Sequence, residues 1–257
     1  MDSELHDVVI LDPQWVTDLL ASVITTKQNF VRDGILKHSD LPFIWRFDSA
    51  LHPKLLRLLE RFEVSFQMPE GDRSLIPCML PDARPEFDTL WVSGTSTHHY
   101  FRVYELSFLP MGLFSRLIVR LLHFSRGVVM WQHGVVLADE TAKALIEHSP
   151  KERTINVWVR GSANTETMLR LILDTLEALL TSWFHVPYKR LVPCPECRRV
   201  PDYGMDAHLF PYVYLLSSYS VTQMCVYILL LLPPFFFPFL SSHSLFLIVY
   251  EDLPPII

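Results

Sequence analysis

The stretch Tyr100–Phe124, YFRVYELSFLPMGLFSRLIVRLLHF, constrains the fold of this chain more than any other. It opens as a strand rich in aromatic and β-branched residues. Phe101 and Val103 fall on one face; Tyr100, Tyr104, Leu106 and Phe108 fall on the other. Both faces are largely apolar, so the strand is expected to be covered on each side. Pro110 and Gly112 end it, and the period changes from two to about 3.6. Leu113, Phe114, Leu117, Ile118, Leu121 and Leu122 then recur on one helical face, with Arg116, Arg120 and His123 as a polar stripe opposite. A strand that hands over to an amphipathic helix buries surface, and nothing in the stretch is arranged for bond-making.

With 257 residues, half of them hydrophobic and 19% charged, the chain can build one large core or two smaller ones. The net charge of −6 argues against nucleic acid, whose binding requires phosphates to be neutralised by Lys and Arg. Four cysteines are too few for a disulfide framework, which points to a reducing, cytoplasmic compartment. The opening MDSELHDVVILDP has early acids and a short apolar run, unlike a secretory signal. From Leu209 to Tyr250, by contrast, there is no Asp, Glu, Lys or Arg.

In chain order, Val8–Leu11 reads as a short strand. Asp12 is placed to cap a helix that begins at Pro13 and buries Trp15, Val16, Leu19, Leu20, Val23 and Ile24. A short helix carries Leu41, Ile44 and Trp45, with Pro42 tolerated in its first turn. A third helix starts near Pro53 and turns Leu55, Leu58, Leu59 and Phe62 inward. Val64–Met68 and Ser74–Leu80 then flank Pro69-Glu70-Gly71-Asp72-Arg73 as a hairpin. Three helices followed by a hairpin describe a winged-helix-like unit over residues 1–87, and Asp82-Ala83-Arg84-Pro85 reads as a linker.

The second unit, residues 90–200, adds hairpins around Gln132-His133-Gly134 and Ser149-Pro150-Lys151-Glu152. A long helix, Thr165–Phe184, buries Leu169, Ile172, Leu173, Leu176, Leu180 and Trp183, with Leu171 and Leu179 off that stripe. Its wide apolar arc reads as a deeply packed core helix or as a subunit contact. Tyr188–Val192 returns to the sheet. The fold class is α+β, a helical unit with a hairpin followed by an antiparallel sheet with packed helices.

The phrases GILKHSDLPFIW, LLRLLERFEVSF, SLIPCMLP, FLPMGLFSRLIVRLL and TINVWVRG, in that order, closely resemble the COR module of Roco proteins over about residues 5–200. In that family COR follows a Ras-like GTPase domain, Roc, and a protein kinase sometimes lies downstream. The resemblance implies a COR-A half that packs on the GTPase and a COR-B half that often pairs two protomers. It also implies interface roles for Tyr104 in the phrase RVYE, near the GTPase, and for Arg116 in PMG-x-x-x-R (Pro110, Met111, Gly112). From the residues alone, Tyr104 is a core aromatic and PMG-x-x-x-R a strand-to-helix turn. No G-x-x-x-x-G-K-[ST] loop and no kinase signature occurs in the sequence. GTP is therefore expected only on an adjacent Roc domain, and any kinase only elsewhere in a multidomain parent.

Cys194-Pro195-Glu196-Cys197 presents two thiolates, half of the four ligands of a structural zinc, with only His208 nearby to add. Lys54, Arg57 and Arg61 share a face of the third helix, the element that would enter a DNA groove in a winged helix. Residues 1–87, however, carry nine Lys/Arg against fourteen Asp/Glu. His98-His99 lies in a polar connection and fits no metal spacing, and the Ser, His and Asp residues form no catalytic pattern. In the tail, residues 209–257, Tyr212–Leu232 is long enough to span a bilayer, yet no flanking Lys or Arg sets an orientation. The Phe, Leu, Ser and Pro of FFFPFLSSHSLF share pyrimidine-rich codons, as a translated intron would have.

The sequence is thus expected to encode a non-catalytic regulatory and dimerisation module coupled to a Roc GTPase, free of nucleic acid. The alternatives are a winged-helix nucleic-acid binder or, if the tail is genuine, a membrane-anchored protein.

Overall fold

A computed structural model describes residues 12–25, 30–86, 91, 98–193 and 209–211. The expected strand Val8–Leu11, the Cys194 and Cys197 pair and the apolar stretch after residue 211 lie outside the described residues.

The first half is built from α1 (Pro13–Ile24), β1 (Val31–Arg32), β2 (Ile35–Lys37), α2 (Leu41–Ile44), α3 (His52–Arg61), β3 (Phe66–Gln67) and β4 (Arg73–Leu75). Asp12 caps α1 as the sequence implies, its carboxylate accepting from Gln14 N–H at 2.9 Å. The strands form one antiparallel sheet in the order β1-β2-β4-β3. The β1–β2 ladder is an addition to the sequence reading; Asp33 and Gly34 make its two-residue turn, both at positive φ. Val16, Leu19, Val23, Leu36, Leu41, Trp45, Leu55, Leu58 and Leu59 make the core. Trp15, Ile24 and Phe62 were expected inside and are instead exposed. The first two sit at the margins of a 12-residue helix that buries only a narrow stripe, and Phe62 is the C-cap of α3.

The second half is a seven-stranded antiparallel sheet in the order β11-β10-β5-β9-β8-β7-β6. Its elements are β5 (His98–Leu106), α4 (Leu113–Leu122), β6 (Arg126–Trp131), β7 (Gly134–Ala138), β8 (Ala142–Ser149), β9 (Thr154–Gly161), α5 (Thr165–Ala178), β10 (Tyr188–Pro193) and β11 (Leu209–Pro211). β5 is an interior strand and pairs β9 and β10. His98 and His99, read as a connection, are its first residues, opposite Gly161 and Arg160. α4 and α5 cover one face over Tyr104, Leu106, Val135, Leu137, Ala144, Ile146, Val157 and Val159. On the other face Trp131, Val136 and Leu145 cluster with Trp158, and Phe101 stacks on Trp158 at 4.9 Å. Both faces of β5 are thus buried, as its sequence demands.

Two expected positions differ. Phe108 lies past the end of β5 and is 51% exposed. The long helix changes pitch over Leu179–Trp183, where Phe184 N–H donates to Leu179 O in an i→i+5 pattern. Leu179, at the start of that wider turn, is buried in the core, and Trp183, at its end, is 51% exposed. Core membership also crosses between the halves: Leu75 and Leu80 of the first pack into the main core of the second.

Candidate functional site

One cluster of charged side chains lies where the two halves meet, and its geometry starts at the end of α3. Glu63 N–H donates to Glu60 O at 2.8 Å and Val64 N–H to Leu59 O at 3.0 Å. These are the paired bonds of a Schellman helix end, and Val64 packs back on the core that contains Leu59. Such an end requires left-handed backbone at its first residue outside the helix, a position that favours Gly. Here it is Glu63, with φ of 57°.

The carboxylate explains the exception. Gly112, at φ of 80°, turns the chain out of β5 and starts α4, and Arg116 and Arg120 stand one turn apart on that helix. Arg120 Nε donates to Glu63 Oε1 at 2.7 Å, and Arg116 Nη1 to Glu63 Oε2 at 3.2 Å. Arg116 Nη1 also donates to Phe62 O at 2.9 Å, on the carbonyl end of α3 where the helix dipole is negative. The Arg116 guanidinium lies 4.5 Å over the Trp183 ring. The third member of the stripe, His123, meets the Phe66 ring edge-on at 5.1 Å. The polar stripe of α4 therefore faces the first half of the molecule rather than bulk water.

Tyr104, the other residue singled out by resemblance, lies in the middle of β5 and is fully buried. Its hydroxyl donates to Glu177 Oε1 on α5, and Arg190 Nη2 on β10 donates to Glu177 Oε2 at 3.1 Å. Burial, then the bond to Glu177, push the Tyr104 hydroxyl well above the usual phenol range. Burial and Glu177 likewise raise Tyr188, whose ring is 5.5 Å from that of Tyr104. The tyrosine is a fixed donor, not a proton carrier.

The connector is held too. Arg84 Nε donates to Glu147 Oε1 at 2.8 Å, Asp82 lies 2.7 Å from His133, and Gln132 N–H donates to Pro81 O at 2.8 Å. What reads as a free linker is pinned to β8 and the β6–β7 turn. Glu63, Glu177, Arg190, Trp183 and His133 escape sequence reasoning because their partners lie between 13 and 73 residues away. The one signal available was the regularity of the Arg116, Arg120 and His123 stripe.

Elsewhere the described residues offer little chemistry at the surface. Two open grooves of about 710 and 430 Å³ flank Phe124. Asp139, in the larger, accepts from the Thr141 and Ala142 amides and so serves its turn. On α3, Arg57 is drawn to Glu60 at 3.0 Å, leaving Lys54 and Arg61 exposed. Among the described residues no group of three His, Cys, Asp or Glu side chains could hold a metal ion. No described helix is long and apolar enough to cross a membrane.

Comparison with known proteins matches residues 1–80 to the COR-A domain and residues 97–226 to the COR-B domain, both described as C-terminal of Roc. The chain is 39% identical over 206 residues to a probable serine/threonine-protein kinase, pats1, of Dictyostelium discoideum, covering 75% of this chain and 6% of that protein. A second probable kinase of that organism, qkgA, is 41% identical over 150 residues, covering 52% and 10%. The Roc-COR-CHAT protease of Runella zeae is 26% identical over 182 residues, covering 69% and 19%. The chain spans about a tenth or less of the length of the two kinases. With COR-A and COR-B in series, and with the same order of elements in its sequence and its fold, the chain belongs to the Roco family, of which it is a COR module.

Proposed function

We propose that this module couples a Roc GTPase domain of the same protein to pairing of two protomers, by presenting packed surfaces and with no reaction of its own. The observation that carries the proposal is the bridge from Glu63 to Arg116 and Arg120, which ties the COR-A half to the COR-B half. A displacement felt by one half is then felt by the other. The family description places COR after Roc, and the name of the Runella relative has Roc ahead of COR. Division into units of 1–87 and 90–200, a cytoplasmic location and a kinase elsewhere in the parent belong to the same reading.

Coupling requires that the module discriminate between two states of its partner, because a ligand with equal affinity for both shifts neither. Titration of the chain with the parent's Roc domain, loaded with GDP or with a non-hydrolysable GTP analogue, tests this. The expected result is affinities differing by on the order of tenfold, about 1.4 kcal/mol, with sedimentation showing a dimer in one state. Equal affinities in both states would sink the proposal.

A further inference from the structure

The histidines that pin the connector form a chain of single protons. His133 Nε2 lies 2.7 Å from Asp82 Oδ1, and His133 Nδ1 lies 3.0 Å from His148 Nε2. His148 Nε2 is also 3.2 Å from the Gln132 carbonyl oxygen. A carboxylate and a carbonyl only accept, so the tautomers follow from the partners. His133 donates from Nε2 to Asp82, which leaves its Nδ1 an acceptor. His148 donates from Nε2, shared between His133 Nδ1 and Gln132 O. That leaves His148 Nδ1 without a proton, and it is buried with no hydrogen-bond partner, its ring 4.4 Å from that of Phe114 on α4. The arrangement exists only while both rings are neutral.

We propose that His133 and His148 act as a proton-operated clasp, which holds connector residues 81–84 on the COR-B sheet when both are neutral and releases them when the pair is charged. A proton on His133 Nδ1 would point N–H at N–H. Relief would require His148 to move its own proton to Nδ1, against an aromatic ring and with no acceptor. A proton added to His148 puts a cation in that same buried place. The charged group facing the pair is Asp82 from the connector; the Arg84–Glu147 ion pair lies one position along β8, on the alternate face of the strand, and α4 contributes the Phe114 ring. Asp82 is 79% exposed, and so hydrated a carboxylate holds a charged His133 weakly. Burial, only partly offset by the Gln132 carbonyl, lowers His148 to about 4. An unfolded or released histidine titrates near 6.5, so the released form binds more protons as pH falls through that window, and acid favours release.

The Gln132 amide reports the clasp, because it donates to Pro81 O. In the full chain its protection from hydrogen exchange, divided by that of Val157 in β9, is measured from pH 7.5 to 5, each corrected for intrinsic exchange. The expected ratio falls on the order of tenfold for one linked proton. His148→Phe, which keeps a ring against Phe114 but cannot titrate, should hold the ratio flat. Should that variant fail to fold, His148→Leu, equally unable to titrate, should hold the ratio flat instead. A ratio independent of pH in the native chain, or an equal fall in both variants, overturns the clasp. So does a His148 ring that titrates near 6.5 by nitrogen NMR.

Discussion

Glu63 holds a left-handed backbone for the sake of its side chain. For a non-glycine residue that conformation costs about 1–2 kcal/mol, and here it persists at a helix end that Gly would complete without strain. The bridge to two partly buried arginines offsets that cost. Glu63→Ala keeps the strain and loses the bridge, and urea unfolding should show a loss of about 2 kcal/mol. Glu63→Gly relieves the strain while losing the same bridge, and should recover roughly half of that; a Gly variant no more stable than the Ala variant would remove the account. Tyr104 is the second test at this scale. Tyr104→Phe leaves Glu177 with Arg190 but without its phenol donor, for an expected cost of about 1–2 kcal/mol in the same assay. Because the folded Tyr104 hydroxyl is raised above its unfolded value, its contribution is fully present below about pH 10 and is lost as pH climbs past it. Ultraviolet titration of the folded chain to pH 11 should find Tyr104 still protonated.

Two glycines separate backbone from packing demands within single elements. At Gly112, which starts α4, a Cβ would meet nothing within 4 Å, so only the positive φ resists it. Gly112→Ala is therefore expected to cost about 1 kcal/mol. At Gly134, in the β6–β7 hairpin, a Cβ would sit 2.0 Å from the buried Trp131 ring. Gly134→Ala must displace that indole and should cost about 3 kcal/mol; thermal unfolding of the two variants checks the order. The helices show a different division of labour. α4 buries Leu113, Phe114, Leu117, Ile118 and Leu121 in the sheet core and uses its arginines to hold the other half. In α5 the pitch widens after Leu179, so that Leu179 and Leu180 stay in the core while Trp183 turns outward. A helical projection of constant pitch puts Trp183 on the buried stripe, from which this turn removes it.

At the scale of the molecule, the halves share a core through Leu75 and Leu80, a bridge at Glu63 and a pinned connector. They should therefore melt in one transition, with calorimetric and van't Hoff enthalpies in agreement; two separated transitions in scanning calorimetry would contradict a single cooperative unit. The sequence by itself determined the elements. Period-two and period-3.6 patterns report local burial, so β5, α4, the three hairpins and the capped start of α1 were legible in order, as was the α+β class. It also determined the family, because five separated phrases in one order are specific. Only the tertiary structure decided the partners. Glu63 meets Arg120 across 57 residues, and Tyr104 meets Glu177 across 73. Nothing in a one-dimensional pattern says whether a polar stripe on a helix faces water or an opposite charge on another unit. That choice is made by the desolvation and pairing of charges when two surfaces close, and those energies exist only in three dimensions.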